Sequence, residues 1–287
     1  MTTFAARHGL PALGAGVGLR FEHVERVLAE GADVAWFEVV SENYMNRGGL
    51  VRRHVTEAAE RWPIVVHGVS LNIGSTDPLD RDYLRRLKAF ADDVRSPWAS
   101  DHLCFTGVDG VAMNDLLPLP RTEEAVEHVA ARVRQVQDLL ERPFLVENVS
   151  SYLDPSPPGA MDEAEFARAV CERADCGMLL DVNNVHVNSV NFGFDAWDML
   201  SRMPLERVVQ LHLAGPEPKG RLLLDTHGAP IGEEVWDLTR RILPRIGPTS
   251  ALVEWDNNMP PLERLLEEHA KAKAVLDGVL GPAGARG

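Results

Sequence analysis

The sequence predicts an α/β chain folded as a single (β/α)8 TIM barrel over residues 1–280, with a glycine-rich tail, 281–287, expected to be disordered. Three observations point to it. Eight short apolar runs recur with amphipathic segments between them, the rhythm of parallel strands joined by right-handed helical crossovers. Six of the runs end in a residue type that ligates metals, at intervals of about 30–45 residues, roughly one strand-plus-helix unit each. The 287 residues are a usual length for one such barrel.

Taken in order, Leu13–Leu19 (LGAGVGL) and Val34–Val40 (VAWFEVV) supply the first two strands. Ile64–His67, Trp98–His102, Phe144–Asn148, Met178–Asp181, Val208–His212 and Ala251–Glu254 supply the rest. Phe21, Val24, Val27 and Leu28 repeat at helical spacing, and Gly31 follows as a C-cap. Leu79–Val94 reads the same way. In Glu123–Leu140, Val126, Val129, Val133, Val136 and Leu140 make one apolar stripe behind an N-cap at Thr122. Asp162 and Glu165 have capping-box spacing ahead of Phe166 and Val170. Val235–Ile246 and Pro261–Leu280 close the series, and Asp154–Gly159 (DPSPPG) is a surface loop. The glycines of Gly14-Ala-Gly16-Val-Gly18 do not form a dinucleotide fingerprint; they suit a tight strand that lets Arg20 reach the pocket rim.

Composition narrows the function. At 45% hydrophobic and 25% charged residues the chain is an ordinary globular one. A net charge of −14 argues against nucleic acid as the main partner, because such surfaces need clustered Lys and Arg. Three cysteines (Cys104, Cys171 and Cys176) make no disulfide framework, and the latter two suit a helix packing small thiols. No basic-plus-apolar leader and no membrane-length apolar run is present, so a cytoplasmic protein without membrane contact is expected. His8, His54, His128 and His269 fall on helices or the terminal segment and are expected at the surface.

In such barrels the C-terminal strand ends face one pocket. His67, His102, Glu147, Asp181, His212 and Glu254 would therefore converge, and carboxylates so crowded repel one another unless a cation is present. Asp225 and His227, at i and i+2 in extended chain, would grip an ion together. Asn148, Asn183 and Asn184 follow the strand-end acids and can donate a carbonyl oxygen or orient a carboxylate. A His-plus-carboxylate set without thiolate suits two or three divalent ions such as iron, manganese or zinc.

These residues resemble a known family, the multinuclear non-haem iron-dependent oxidative enzymes typified by the oxidase of methanobactin biosynthesis. The similarity runs through Gly16-Val-Gly18-Leu-Arg20, Ser41-Glu42-Asn43, His67-Gly-Val-Ser-Leu-Asn72, Ser100-Asp101-His102, Glu147-Asn148, Leu180-Asp181-Val-Asn183-Asn184-Val, His212-Leu-Ala-Gly215, Asp225-Thr-His227 and Glu254-Trp-Asp256. The resemblance implies a barrel holding two to three non-haem irons in mixed iron(II)/iron(III) states. His67, His102 and Glu147 would hold one ion. Glu147 would bridge to a second, held with Asp181, His212 and Glu254, and Asn184, Asp225 and His227 would serve a third. The implied substrate is a cysteine-containing, ribosomally made precursor peptide, presented by a small partner protein and oxidised with dioxygen. A thiolate would bind iron(III), and an iron-superoxo species would take the hydrogen next to sulfur. Asp101, Asn148 and Asn183 are the expected catalytic residues, and Arg20, Glu42, Asn43 and Asn72 the expected substrate contacts. Two positions depart from the pattern: Phe192 stands where relatives often carry His, and His186 where Tyr is common.

The competing reading is a divalent-metal sugar isomerase or hydrolase of the xylose-isomerase-like type, which also uses a Glu, Asp, His, Glu set on successive strands. The additional His67–His102 pair favours the oxidase, and no strand-end Lys offers an isomerase acid.

Overall fold

The computed structural model describes residues 2–281; the expected tail, apart from Gly281, lies outside them. Eight parallel strands close into a barrel: β1 (Gly14–Gly18), β2 (Phe37–Val40), β3 (Ile64–His67), β4 (Ala99–His102), β7 (Phe144–Glu147), β8 (Gly177–Asp181), β9 (Val208–Leu213) and β12 (Ser250–Val253). The ring is sealed by β1 pairing with β12, Gly14 opposite Ser250 through Val17 opposite Val253. All eight apolar runs hold strands, with ends that differ by one to three residues in most of them; Trp98, Asn148 and Glu254 lie just outside theirs.

Helices alternate with these strands and cover them. They are α2 (Phe21–Glu30), α4 (Gly49–Arg61), α5 (Arg81–Asp93), α6 (Glu123–Leu140), α7 (Glu163–Ala174), α10 (Glu233–Ile246) and α11 (Leu262–Leu280). The caps read from the sequence hold. Thr122 accepts from the amide of Ala125, Asp162 and Glu165 form a reciprocal capping box, and Gly31 closes α2 at φ 81°. A short α1 (Phe4–His8) seals the N-terminal end of the barrel with Phe4, fully buried. Among the described residues no helix is long and apolar enough to cross a membrane.

Several expectations are corrected. His269 is buried, because α11 packs on β1 and its Nε2 lies 3.1 Å from the carbonyl of Ala15. His128 is half-buried, with Nε2 2.8 Å from the carbonyl of Ser75. Cys176 is not helical: it lies past the end of α7, and its amide donates to the carbonyl of Cys171. Ser41–Tyr44, directly after β2, forms a short helix (α3).

Two hairpins that the apolar runs do not announce lie at the C-terminal mouth, β5 (Cys104–Val108) with β6 (Val111–Pro118), and β10 (Glu217–Lys219) with β11 (Leu222–Leu224). Asp109 and Gly110 turn the first of them, both at positive φ (52° and 73°), as an Asp-Gly hairpin turn requires. Two more helices, α8 (Val182–Phe192) and α9 (Ala196–Arg202), lie between β8 and β9.

Candidate metal centre

The barrel interior is built in layers from the two-residue alternation of its strands. Trp36, Val65, Trp98, Leu145, Leu179 and Leu252 pack around Phe4 as an apolar floor. Two residues further along the same six strands stand Glu38, His67, Ser100, Glu147, Asp181 and Glu254. One alternation thus sets a dry floor and, above it, a polar layer near the mouth. β9 joins this layer through a register irregularity opposite β8, where Met178 pairs with Val208 but Leu179 with Gln210. That shift turns Gln210 and His212 to the interior, where both reach Glu38.

Four groups of side chains offer ligand atoms close enough to share an ion: His67, His102 and Glu147; Glu147, Asp181 and His212; Glu38, His212 and Glu254; and Asp181, His227 and Glu254. Glu147 is common to the first two. Its Oε2 lies 3.4 Å from Nε2 of His67 and 3.4 Å from Nε2 of His102, while its Oε1 lies 3.4 Å from Nδ1 of His212. Nδ1 of His212 is also 2.8 Å from Glu254 Oε2. His227 faces Asp225 through Nε2 at 2.7 Å, and its Nδ1 lies 3.1 Å from Asp256 and 3.3 Å from Glu254.

The chain does not reach Asp225 and His227 in extended form, as the spacing suggested. His227 has φ 46°, and the amide of Asp256 donates to its carbonyl, so a turn folds the imidazole back onto Asp225. Asp225 is held in place by Ser150 Oγ (2.8 Å) and Asn183 Nδ2 (2.7 Å).

Buried polar atoms in this cluster lack hydrogen-bond partners: Glu147 Oε2, Asp181 Oδ2, Asn183 Oδ1, Asn184 Oδ1 and His212 Nδ1. Buried acceptors are ordinarily satisfied, and orphans gathered in one place fit a bound cation. The donors are imidazole and carboxylate, the set that suits hard-to-intermediate divalent ions.

Electrostatics agree with that fit. Burial pulls the His67 imidazole well below its ordinary range, and the neighbouring His102 and His212 add to it. Burial also opposes charge on His102, but Glu147 and Asp101 outweigh it and raise it to about 9. His212 and His227 are likewise raised against burial, His212 chiefly by Glu254 and Glu38 and His227 chiefly by Asp225 and Glu254. Burial would raise Glu254, yet His212 and His227 hold it well below the usual carboxylate range. Asp181 is raised, foremost by burial. The carboxylates thus favour the charged form of His102, His212 and His227, and burial disfavours it at His67.

The other expected site residues fall around this cluster in different ways. Both ends of the Asn148 amide pair with the backbone of Asp181, Nδ2 donating to its carbonyl (3.0 Å) and Oδ1 accepting from its amide (2.9 Å). Asn148 thus ties β7 to β8 instead of facing the pocket. Asp101 accepts from the amides of Leu71 and His102, and Gly68 makes room for it: a Cβ there would sit 2.4 Å from Asp101 Oδ2. Asn184 Nδ2 donates to the carbonyl of Asn148.

Arg20 is buried, hydrogen-bonded to Asp256 and to the carbonyl of Trp255, with Nη2 3.6 Å from Glu254 and Nη1 without a partner. Gly18 leaves space for this guanidinium, since a Cβ there would lie 3.1 Å from Arg20 Cζ. Glu42 binds the amides of Val69 and Ser70 and the hydroxyl of Tyr83 (2.6 Å), which locks the loop after β3. Asn72, at φ 58°, bonds Thr106 and Gly107 of β5, and Asn43 is exposed on α3. Phe192 is exposed, and neither it nor His186 enters any of the four groups.

Glu38 escaped the sequence reading. It is a fully buried acid inside an apolar run, and its position two residues past Trp36 on the inward face was the available signal.

The fold and the site define a xylose-isomerase-like TIM barrel with a buried His–carboxylate cluster at its mouth that can hold metal ions. Solved structures carry the fold comparison. A xylose isomerase domain protein from Planctomyces limnophilus superposes at TM-score 0.58 with 14% identity, over 93% of this chain and 98% of that one. Endonuclease IV from Thermus thermophilus does so at 0.58 with 18% identity, over 92% and 99%. The chain belongs to the family described as RiPP precursor modification enzyme MbnB/TglH/ChrH, whose model matches residues 14–277. A UPF0276 protein of Anaeromyxobacter sp. (strain Fw109-5) is 47% identical to it over 263 residues, 92% of this chain and 93% of that protein.

Proposed function

We propose that this chain is a dioxygen-dependent oxidase that uses two to three non-haem irons to modify cysteine residues of a ribosomally made precursor peptide, with a small partner protein presenting the peptide. Family membership supports the peptide substrate. The observation that carries the multinuclear reading is the interlocking of ligand groups: Glu147 belongs to two of them, as do Asp181, His212 and Glu254. A lone ion does not need so many shared donors.

His67, His102 and Glu147 would hold one ion and Glu147, Asp181, His212 and Glu254 a second; Asp225 and His227, with Asn184, would hold a third. Iron bound there supplies the redox capacity and Lewis acidity that oxidation of a thiol by dioxygen requires. The protein's own residues supply position and charge. Ser100 Oγ, 2.9 Å from His67 Nδ1, turns that ring so that Nε2 points at Glu147. Asp256 does the same for His227 through Nδ1. Asn148 and Asp101 act as positioning residues, fixing Asp181 and the loop after β3. Asn183 steadies Asp225 through Nδ2, and its buried Oδ1 stays unpaired beside the cluster. The chain's three cysteines are buried, and burial raises the Cys104 thiol well above its ordinary range, which protects it from the oxidation meant for the substrate.

The test is elemental analysis of anaerobically purified protein with Mössbauer spectra of an iron-57-grown sample. Two or more irons with a coupled ferrous–ferric signal is the expected result. Stoichiometric zinc or manganese, with no iron uptake on reconstitution, would move the assignment to the isomerase–hydrolase class.

A further inference from the structure

Glu38 is a wholly buried acid at the heart of the barrel, and its ion-pair partner among the described residues is His212. Its Oε2 lies 3.2 Å from His212 Nε2 and 2.6 Å from Gln210 Nε2. The far end of the Gln210 amide settles which way it points. Trp98 Nε1, 2.9 Å from Gln210 Oε1, is a donor only, so an oxygen must face it. The NH2 group of Gln210 therefore faces Glu38 and also lies 2.9 Å from His212 Nε2.

An imidazole that binds a cation through one nitrogen carries its proton on the other. The two nitrogens of His212 have unlike surroundings. Nδ1 looks at Glu147 and Glu254, and Nε2 looks at Glu38 and Gln210. Left with Gln210 alone, Nε2 would accept from its NH2 and the ring proton would move to Nδ1, closing the nitrogen that faces the cluster. Glu38 reverses this preference by offering an acceptor to both donors.

We infer that Glu38 is a positioning residue which, anchored through Gln210 and Trp98, selects the His212 tautomer with Nε2 protonated and Nδ1 free to bind a metal ion. The inference rests on the proposal that the cluster holds metal. It makes Glu38 a partner of a ligand, although Glu38 falls within a group able to hold an ion itself. The two roles separate experimentally, because Gln keeps an acceptor oxygen but is a poor anionic ligand.

The experiment titrates metal-free full-length protein with cobalt(II), followed by absorption, in wild type, Glu38→Gln, Glu38→Leu and His212→Ala. Nitrogen-15 spectra of the histidines in the zinc-loaded protein accompany it. With zinc bound, wild type is expected to show His212 as the Nε2–H tautomer. Glu38→Leu should weaken one class of cobalt sites by about 10–100-fold, the same class that His212→Ala abolishes. Glu38→Gln should recover wild-type affinity to within a few-fold with the tautomer kept, and it preserves shape should the leucine variant fail to fold. Cobalt affinity in Glu38→Leu equal to wild type overturns the assignment while leaving the metal site standing. A loss in Glu38→Gln matching that of His212→Ala overturns it too, and makes Glu38 a direct ligand. Wild-type protein that takes up no cobalt overturns the metal reading and this inference with it.

Discussion

Glu147→Gln separates an interlocked metal centre from a set of independent sites. The two carboxylate oxygens of Glu147 face different partners, Oε2 toward His67 and His102 and Oε1 toward His212. A glutamine fills the same space but presents one oxygen and one NH2. Whichever way the amide turns, one side loses its anionic donor and meets hydrogens instead. Removing one partner from a buried charged set costs about 3–5 kcal/mol. That corresponds to roughly 150- to 5,000-fold in affinity for one ion. The fold should survive, because the barrel floor is built from Trp36, Val65, Trp98, Leu145, Leu179 and Leu252, none of which the change touches. The assay is metal content after dialysis against a graded chelator, beside thermal melts and oxygen consumption with a cysteine peptide. The expected outcome is a variant that melts near wild type, loses about one ion at chelator levels that spare the native protein, and does not turn over. Full metal retention with normal turnover would refute the bridging argument.

Further predictions concern protons, the third ion and packing. Metal uptake should release protons, because nearby carboxylates raise His102 to about 9 and push His212 and His227 well above the ordinary imidazole range, favouring protons that an incoming cation must displace; apparent affinity should rise with pH, and zinc addition in weak buffer that leaves an indicator dye unchanged would contradict this. Asp225→Asn should lower metal content by less than one equivalent, since His227, Asp181 and Glu254 remain in place, and unchanged content would count against Asp225 as a ligand. Burial raises Glu163 to about 7 from an ordinary 4.5, so this acid favours the folded state when protonated. Stability should decline as pH rises from about 4.5 to 7, by at most about 3 kcal/mol, and Glu163→Gln should flatten that slope in urea melts. Gly68→Ala should destabilise the protein by about 1–3 kcal/mol through its clash with Asp101, and a variant as stable as wild type would mean the loop has slack.

The barrel was legible because parallel strands buried on both faces leave a strong trace, uninterrupted apolar runs separated by amphipathic helices. The strand-end ligands were legible for the same reason: a polar residue closing such a run is conspicuous. What the sequence concealed had no such contrast. Glu38 sits inside its run rather than at the end, and only the inward register of Trp36 exposes it. β6 is largely exposed and lacks a strong apolar signal, although its Asp109-Gly110 turn could have been read. The side chains of Glu42 and Asn72, expected to contact substrate, both bond backbone of nearby loops, and Glu42 does so through Oε1 while its Oε2 keeps no partner. The meeting of His227 with Glu254 depends on a turn at positive φ, which spacing alone does not reveal.

Asp181 ends β8 and at the same time caps α8, accepting through Oδ1 from the amide of Asn184 while Oδ2 is left free toward the cluster. One side chain thereby answers two unrelated demands, and substitutions there divide along that line. Alanine would remove the cap, worth about 1 kcal/mol, together with the free oxygen, so a dead Asp181→Ala enzyme would not say which loss killed it. Asparagine satisfies the helix and leaves only the metal-facing oxygen in question. The junction between β8 and α8 is thus the place where the centre and the scaffold cannot be varied independently, and a mutational survey of this barrel would find Asp181 intolerant for reasons that only the Asn variant can separate.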